Sequence, residues 1–191
     1  MKKLPTLFIK DYYANGNYKG LRREVTPGFE WVLEGKGVAT MKLDGSCCAI
    51  IDGVFYRRFD AKPGRKLPNG AIPCCPPDPV TGHHPHWVPC DRKNKADKWL
   101  WAAYDHTVTR PDGTYEAIGP HFQGNIYELG MDVLEPHGMI YLTDLTDRSF
   151  DGIRDFLCAH EIEGIVFWRD GEPQCKIKRK DFGLAWPPVG R

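Results

Sequence analysis

The stretch Ala39 to Cys48, ATMKLDGSCC, sets a lysine at the end of an apolar run, two positions before Asp44-Gly45. Lys42 in that setting is either an incidental lysine beside a surface β-turn or an activated amine. Further pieces follow in chain order: Arg58, then Glu116, then Glu163-Gly164, then Lys176 and Lys178. Each piece alone is common. The ordered set, with every member on or beside a strand, is much harder to obtain by chance. Two lysines and a glutamate on one strand face suit a polyphosphate with a divalent cation, because ammonium groups neutralise phosphate oxygens and carboxylates take hard metals. The same face also reads as a plain surface salt-bridge ladder.

The elements that position these groups can be read from turns and alternation. GVATM (Gly37–Met41) and CCAII (Cys47–Ile51) read as two short strands around the Lys-Leu-Asp-Gly-Ser segment. Asp52-Gly53 is a two-residue hairpin signal, and VFYRRF returns. Such a loop pairs Ile51 with Val54 and, counting outward, Cys47 with Arg58, which predicts a guanidinium close to Gly45–Ser46 and beside Lys42. NKADKWLWAAYDHTV predicts a helix carrying Trp99, and GTYEAIG (Gly113–Gly119) a strand holding Glu116. Ser149 is placed to cap a helix with Phe150, Ile153 and Leu157 on one face. A hairpin turning at Asp170-Gly171 pairs Ile165 with Lys176 and Glu163 with Lys178. Parity then puts Gly164, Val166, Trp168, Cys175 and Ile177 on the core side and Glu163, Lys176 and Lys178 on the other. Residues 62–90 are so rich in proline that a long loop with no regular element is expected. The first 35 residues are mixed and aromatic, with breakers at Asn15-Gly16 and Pro27-Gly28.

Composition sets the outer bounds. The 191 residues are 41% hydrophobic and 27% charged, which excludes a disordered chain and suffices for one sizeable core. No apolar run approaches the roughly 18 residues of a membrane span, and the start is too interrupted for a signal peptide, so a cytoplasmic protein without membrane association is expected. The seven cysteines include two adjacent pairs, which suit free thiols better than a disulfide framework. The net charge of +1 makes no argument for nucleic acid, but its distribution does better. Arg57–Lys66 carries five cations and one anion, and Lys176–Lys180 four cations and no anion. Cys74, Cys75, His83, His84, His86 and Cys90 share the proline-rich loop, but their spacing matches no structural zinc pattern, so zinc is not an expected cofactor. The loop's histidines and Trp87 are available for stacking on bases.

Taken together these segments resemble the covalent nucleotidyltransferases, the superfamily of DNA ligases, RNA ligases and mRNA capping enzymes. KLDGS resembles the nucleophile motif, RRFDAKPG the arginine motif, GTYEAIGPHFQGN the third motif, EGIVFW the fourth and CKIKRKDF the fifth. The set is most similar to the small RNA ligase family that includes the vertebrate 5′-to-3′ enzyme, over about residues 37 to 180. The resemblance implies an α+β adenylation domain of antiparallel sheets with flanking helices and no OB-fold domain, with the nucleotide in a groove between sheets. It implies Lys42 as the nucleophile toward ATP, with RNA bearing 5′-phosphate and 3′-hydroxyl ends as the substrate. Asp44, Glu116 and Glu163 would serve Mg²⁺ or Mn²⁺, in part through water, and Glu116 also the ribose. Arg58 would hold the 5′-phosphate or the AMP phosphate, Lys176 and Lys178 would neutralise the α-phosphate, and Gly45 would allow close backbone approach. Tyr127 is the candidate for stacking on adenine.

Met41 departs from the pattern. Related RNA ligases often carry a glutamate just before the nucleophile to read the adenine amino group, so here that contact would fall to backbone carbonyls. The expected organisation is a single catalytic domain over residues 1–191, of undetermined oligomeric state. Two rivals share the same residues: a DNA nick ligase or capping-type guanylyltransferase using the same lysine, and a non-catalytic module that binds nucleotides or RNA ends.

Overall fold

A computed structural model describes residues 3–61, 64, 66–78 and 82–188. In chain order the elements are β1 (Phe8–Tyr12), β2 (Tyr18–Val25), α1 (Glu30–Leu33), β3 (Val38–Lys42), β4 (Ser46–Ile51), β5 (Val54–Ala61), β6 (Ile72–Pro73), β7 (His84–Pro89), α2 (Lys98–His106), β8 (Gly113–Ile118), β9 (Val133–Pro136), α3 (Phe150–Ala159), β10 (Gly164–Arg169) and β11 (Glu172–Lys178). The strands pair antiparallel and the helices are few, an α+β architecture. The chain forms two compact units: an inserted unit containing Asp44–His137, and a flanking unit of Leu4–Leu43 with Gly138–Arg191. No helix among the described residues is long and apolar enough to cross a membrane.

The inserted unit is built on one sheet in the order β6-β7-β5-β4-β8-β9. Its β4–β5 turn takes left-handed backbone at Asp52 (φ 49°) and Gly53 (φ 74°), the conformation Asp-Gly favours. The Asp112 carboxylate accepts both turn N–H groups at 2.7 and 3.1 Å. Pairing runs from Ile51–Val54 to Cys48–Arg57, the register the turn predicts. One face of the sheet is apolar: Cys48, Ile50, Phe55, Tyr115, Ala117 and Leu134 pack with Leu100 and Ala103 of α2. That helix follows a 3-10 turn capped by Asn94, whose side chain accepts from Ala96 N at 3.0 Å.

The proline-rich segment is not structureless. His84–Pro89 forms β7, paired with β5 and bordered by the short β6. Alternation explains how the prolines survive. Cys90 N bonds Phe55 O across to β5, whereas Pro85 O accepts from Cys74 N on the other side. Odd positions therefore face away from β5, and Pro85 and Pro89 both occupy them, so no ladder donor to β5 is lost. Lys62, Pro63 and Arg65 of the first basic run, residues 79–81 of the loop and the last three residues lie outside the described residues.

In the flanking unit the sheet order is β11-β10-β3, with β1-β2 as a separate hairpin in a region where the sequence predicts no element. Gly16 (φ 81°) lies in the β1–β2 turn, closed by Tyr13 N to Asn17 O at 2.9 Å. Ser149 caps α3 as expected, accepting from Gly152 N at 3.1 Å. Ile153, Phe156 and Leu157 of α3 meet Ile165, Phe167, Cys175 and Ile177 in the core.

The β10–β11 hairpin turns at Asp170-Gly171, but its register is shifted by one residue. Trp168 pairs with Pro173 and Phe167 with Cys175, so Gln174 is bulged out next to a proline that donates no hydrogen bond. Beyond the bulge, Ile165 faces Ile177 and Val166 faces Lys176. The core face is therefore Ile165, Phe167, Cys175 and Ile177, while Gly164, Val166 and Trp168 lie on the opposite face from the one parity predicts. Lys176 and Lys178 keep their shared face.

Candidate active site

Lys42 is the last residue of β3, directly opposite Gly164 of β10, and Gly164 in turn faces Lys178 of β11. Three strands thus carry the nucleophile candidate, the glutamate-glycine pair and the two-lysine strand into one register. Gly164 has to be glycine for this, because a Cβ there would lie 2.3 Å from Ile177 O. The buried Glu163 just before it meets two lysines: Lys42 Nζ is in direct hydrogen-bond contact with one carboxylate oxygen, and Lys178 Nζ lies 3.7 Å from the other. Lys42 Nζ also donates to Leu43 O at 3.1 Å. Lys176, half-buried beside them, feels both. Burial first, and then the charges of Lys42 and Lys178, lower its pKa from the ordinary 10.5 to about 8.

Not every cation of the second basic run belongs to this cluster. Arg179 is buried and turned the other way, donating to Leu157 O, to His160 O at 2.8 Å and to Ala185 O at 3.0 Å. It satisfies carbonyls at the end of α3 and is a structural residue. Met41 packs with the apolar core and donates its N–H to Ile140 O, which leaves its side chain no polar role.

The remaining sequence-predicted residues sit in the inserted unit, which begins at Asp44, two residues after Lys42. Asp44 N donates to the Tyr127 hydroxyl at 2.7 Å, so that ring is tied to the Lys-x-Asp-Gly turn. Gly45 N donates to Glu116 Oε1 at 3.0 Å. A Cβ on Gly45 would fall 2.2 Å from Ala117 O, so the close approach this glycine allows is to β8. Arg58 pairs with Asp60 at 2.9 Å and lies beside the Cys47 thiol, as the hairpin register requires. Its neighbour Arg57 points to the other face and pairs with the buried Asp97 at 2.9 Å, which neutralises part of the first basic run.

Two residues that sequence reasoning passed over join this group. His137, one residue past β9, bonds Glu116 Oε2 through Nε2 at 2.9 Å and contacts Thr114 Oγ1 through Nδ1 at 3.0 Å. Cys47 is the β4 partner of Glu116. The signal for Cys47 was present, since the alternation that brings Arg58 to this face brings Cys47 too. His137 has no such signal, because its placement depends on the pairing of β9 with β8.

No family model matches the chain. RNA ligase 1 of Rattus norvegicus is 25% identical over 97% of this chain and 82% of its own length. RNA ligase 1 of Mus musculus is 25% identical over 97% of the chain and 81% of its own length. RNA ligase 1 of Danio rerio is 30% identical over 56% of the chain and 42% of its own length. The chain is a distant relative of these RNA ligases. The residues of the flanking-unit cluster and of the Glu116 group all lie within the region that resembles the nucleotidyltransferase motifs.

Proposed function

We propose that the protein is an ATP-dependent RNA ligase that works through a lysyl-AMP intermediate. The observation that carries this reading is the Lys42–Glu163–Lys178 cluster with Lys176 beside it, formed by residues from three neighbouring strand ends. Three lysines around one carboxylate hold more positive charge than they neutralise, which fits a polyphosphate substrate. The relatives' name supports RNA as the material joined.

The chemistry proceeds in three transfers. Lys42 Nζ, after losing a proton, attacks the α-phosphorus of ATP; a P–N bond forms and the P–O bond to pyrophosphate breaks. The AMP then passes to an RNA 5′-phosphate, forming a pyrophosphate linkage and restoring the free amine. A 3′-hydroxyl loses its proton and attacks that activated phosphorus, forming a phosphodiester and releasing AMP. Glu163 holds the amine by a hydrogen bond and orients it. Lys176 and Lys178 offset the charge that builds on the phosphoryl oxygens, since positioning and electrostatics dominate phosphoryl transfer. Mg²⁺ or Mn²⁺ would neutralise phosphate charge further. Both Glu163 oxygens already face lysines, so contact from Glu163 to such a hard cation would run through water. Arg58 would take the phosphate of the RNA end.

The test is sealing of a short RNA with a labelled 5′-phosphate to one with a 3′-hydroxyl, with ATP, GTP or NAD as donor. Sealing with ATP is expected. Guanylate transfer to an RNA end would establish the capping rival, and sealing confined to nicked DNA the DNA ligase rival. Tight nucleotide binding with no product from any donor would establish the binding module.

A further inference from the structure

We propose that Cys47, Glu116 and His137 form a three-ligand site for a borderline-soft divalent metal of the zinc class. Among the described residues, Cys47 Sγ, a Glu116 carboxylate oxygen and a His137 ring nitrogen lie within 4.8 Å of one another. Ligands bound at about 2.0–2.3 Å around a tetrahedral ion stand roughly 3.3–3.8 Å apart, so changes on the scale of a side-chain rotation close the site.

The sheet register brings the donors together. Cys47 of β4 pairs with Glu116 of β8, and His137 follows β9, its N–H bonded to Thr114 O. Glu116 and Thr114 are two apart on β8, so all three donors project from the face opposite the one covered by α2. Glu135, the β9 partner of Glu116, shares that face.

The outer contacts are those a metal site needs. A ligating histidine ordinarily gives its second ring nitrogen to an oxygen, which sets the tautomer. Here Nδ1 lies 3.0 Å from Thr114 Oγ1, a hydroxyl able to accept Nδ1–H once Nε2 binds metal, and Nε2 lies 2.9 Å from Glu116 Oε2 inside the cluster. Glu116 Oε1 is engaged by Gly45 N–H, which directs Oε2 inward. A thiolate and an imidazole select zinc or cobalt over magnesium, which prefers oxygen donors throughout. Charge also balances, because a divalent ion with one thiolate and one carboxylate is neutral, so Arg58 beside Cys47 is not opposed. The fourth position stays open, as in zinc sites with three protein ligands. The site uses one thiol, one imidazole and Glu116, which the resemblance to nucleotidyltransferases assigns to ribose or Mg²⁺, and no lysine, so cobalt binding is read apart from nucleotide labelling of Lys42.

Cobalt reads the site directly. Metal-stripped full-length protein titrated with Co²⁺ should bind one equivalent with a thiolate-to-cobalt charge-transfer band and the intense visible bands of four-coordination, both lost on adding Zn²⁺. Cys47→Ser should remove the charge-transfer band. His137→Gln should keep that band and weaken binding by about tenfold or more, a size typical of losing a metal-site contact. The double variant Cys74→Ser/Cys75→Ser should leave the titration unchanged. Circular dichroism and thermal melts of each variant separate loss of a ligand from loss of fold, and His137→Gln serves where Cys47→Ser does not fold. No cobalt binding, a band that survives Cys47→Ser, or one that vanishes in the Cys74/Cys75 variant would overturn the proposal. The first outcome would leave His137–Glu116 as a hydrogen-bonded pair and nothing more.

Discussion

In the flanking unit three lysines crowd one carboxylate, whereas in the inserted unit each donor around Glu116 has a partner of its own. Lys42 and Lys178 both turn to Glu163, and Lys176 lies near enough to be repelled by them. Around Glu116, Gly45 N–H takes one oxygen, His137 the other, and Thr114 takes the second nitrogen of His137. The first cluster carries more positive than negative charge, which suits an anion. The second is hydrogen-bonded throughout, and its burial shows in the Cys47 thiol: desolvation first, then the Glu116 charge, push its pKa up to about 12 against the pull of Arg58. A strained cluster of like charges suits a group that must react with phosphate. A satisfied cluster suits groups that hold something still.

This contrast can be broken by substitution. The largest difference should come from Lys178→Ala, which removes one cation from the phosphate side. Nucleotide labelling of the protein should slow roughly 10²–10³-fold, the cost of deleting one charge-stabilising donor, with the melting temperature nearly unchanged. Labelling at the wild-type rate would mean that the strand face carrying Lys176 and Lys178 is a surface ladder after all.

A smaller effect tests the repulsion itself. Lys176 binds its proton more weakly in the folded chain, at about 8, than in the unfolded chain, near 10.5. Between those values the unfolded state holds more protons, so stability contributed by this group rises with pH through that window and is lowest below it. Lys176→Met should remove this slope and raise stability at pH 7, by on the order of 1–3 kcal/mol in denaturant unfolding. An unchanged pH slope would place Lys176 in solvent rather than in the cluster.

How much of this was legible in the sequence varies element by element. The β4–β5 hairpin, α2, β8 and α3 were all readable, because Asp52-Gly53 and Ser149 are local signals and the apolar spacing agrees with them. The β10–β11 turn was readable too, but one bulged residue at Gln174 moved Gly164, Val166 and Trp168 to the other face. A bulge is a cross-strand feature that one strand's sequence does not announce. β7 is masked by its proline content, because parity along the strand, not proline count, decides whether a proline costs a hydrogen bond. For the site, the Lys42, Glu163 and Lys178 contacts follow the motif order, while His137 was invisible because it reaches Glu116 through β9, an element with no sequence signature of its own.

The central claim is that Lys42 is a nucleophile, and the mass of the intact chain tests it most directly. After incubation with ATP and Mg²⁺, the protein should gain one AMP, and Lys42→Ala should gain none while folding normally. Folded, nucleotide-free protein that gains no mass from ATP, GTP or NAD, or a Lys42→Ala variant that still takes up AMP, would contradict the account.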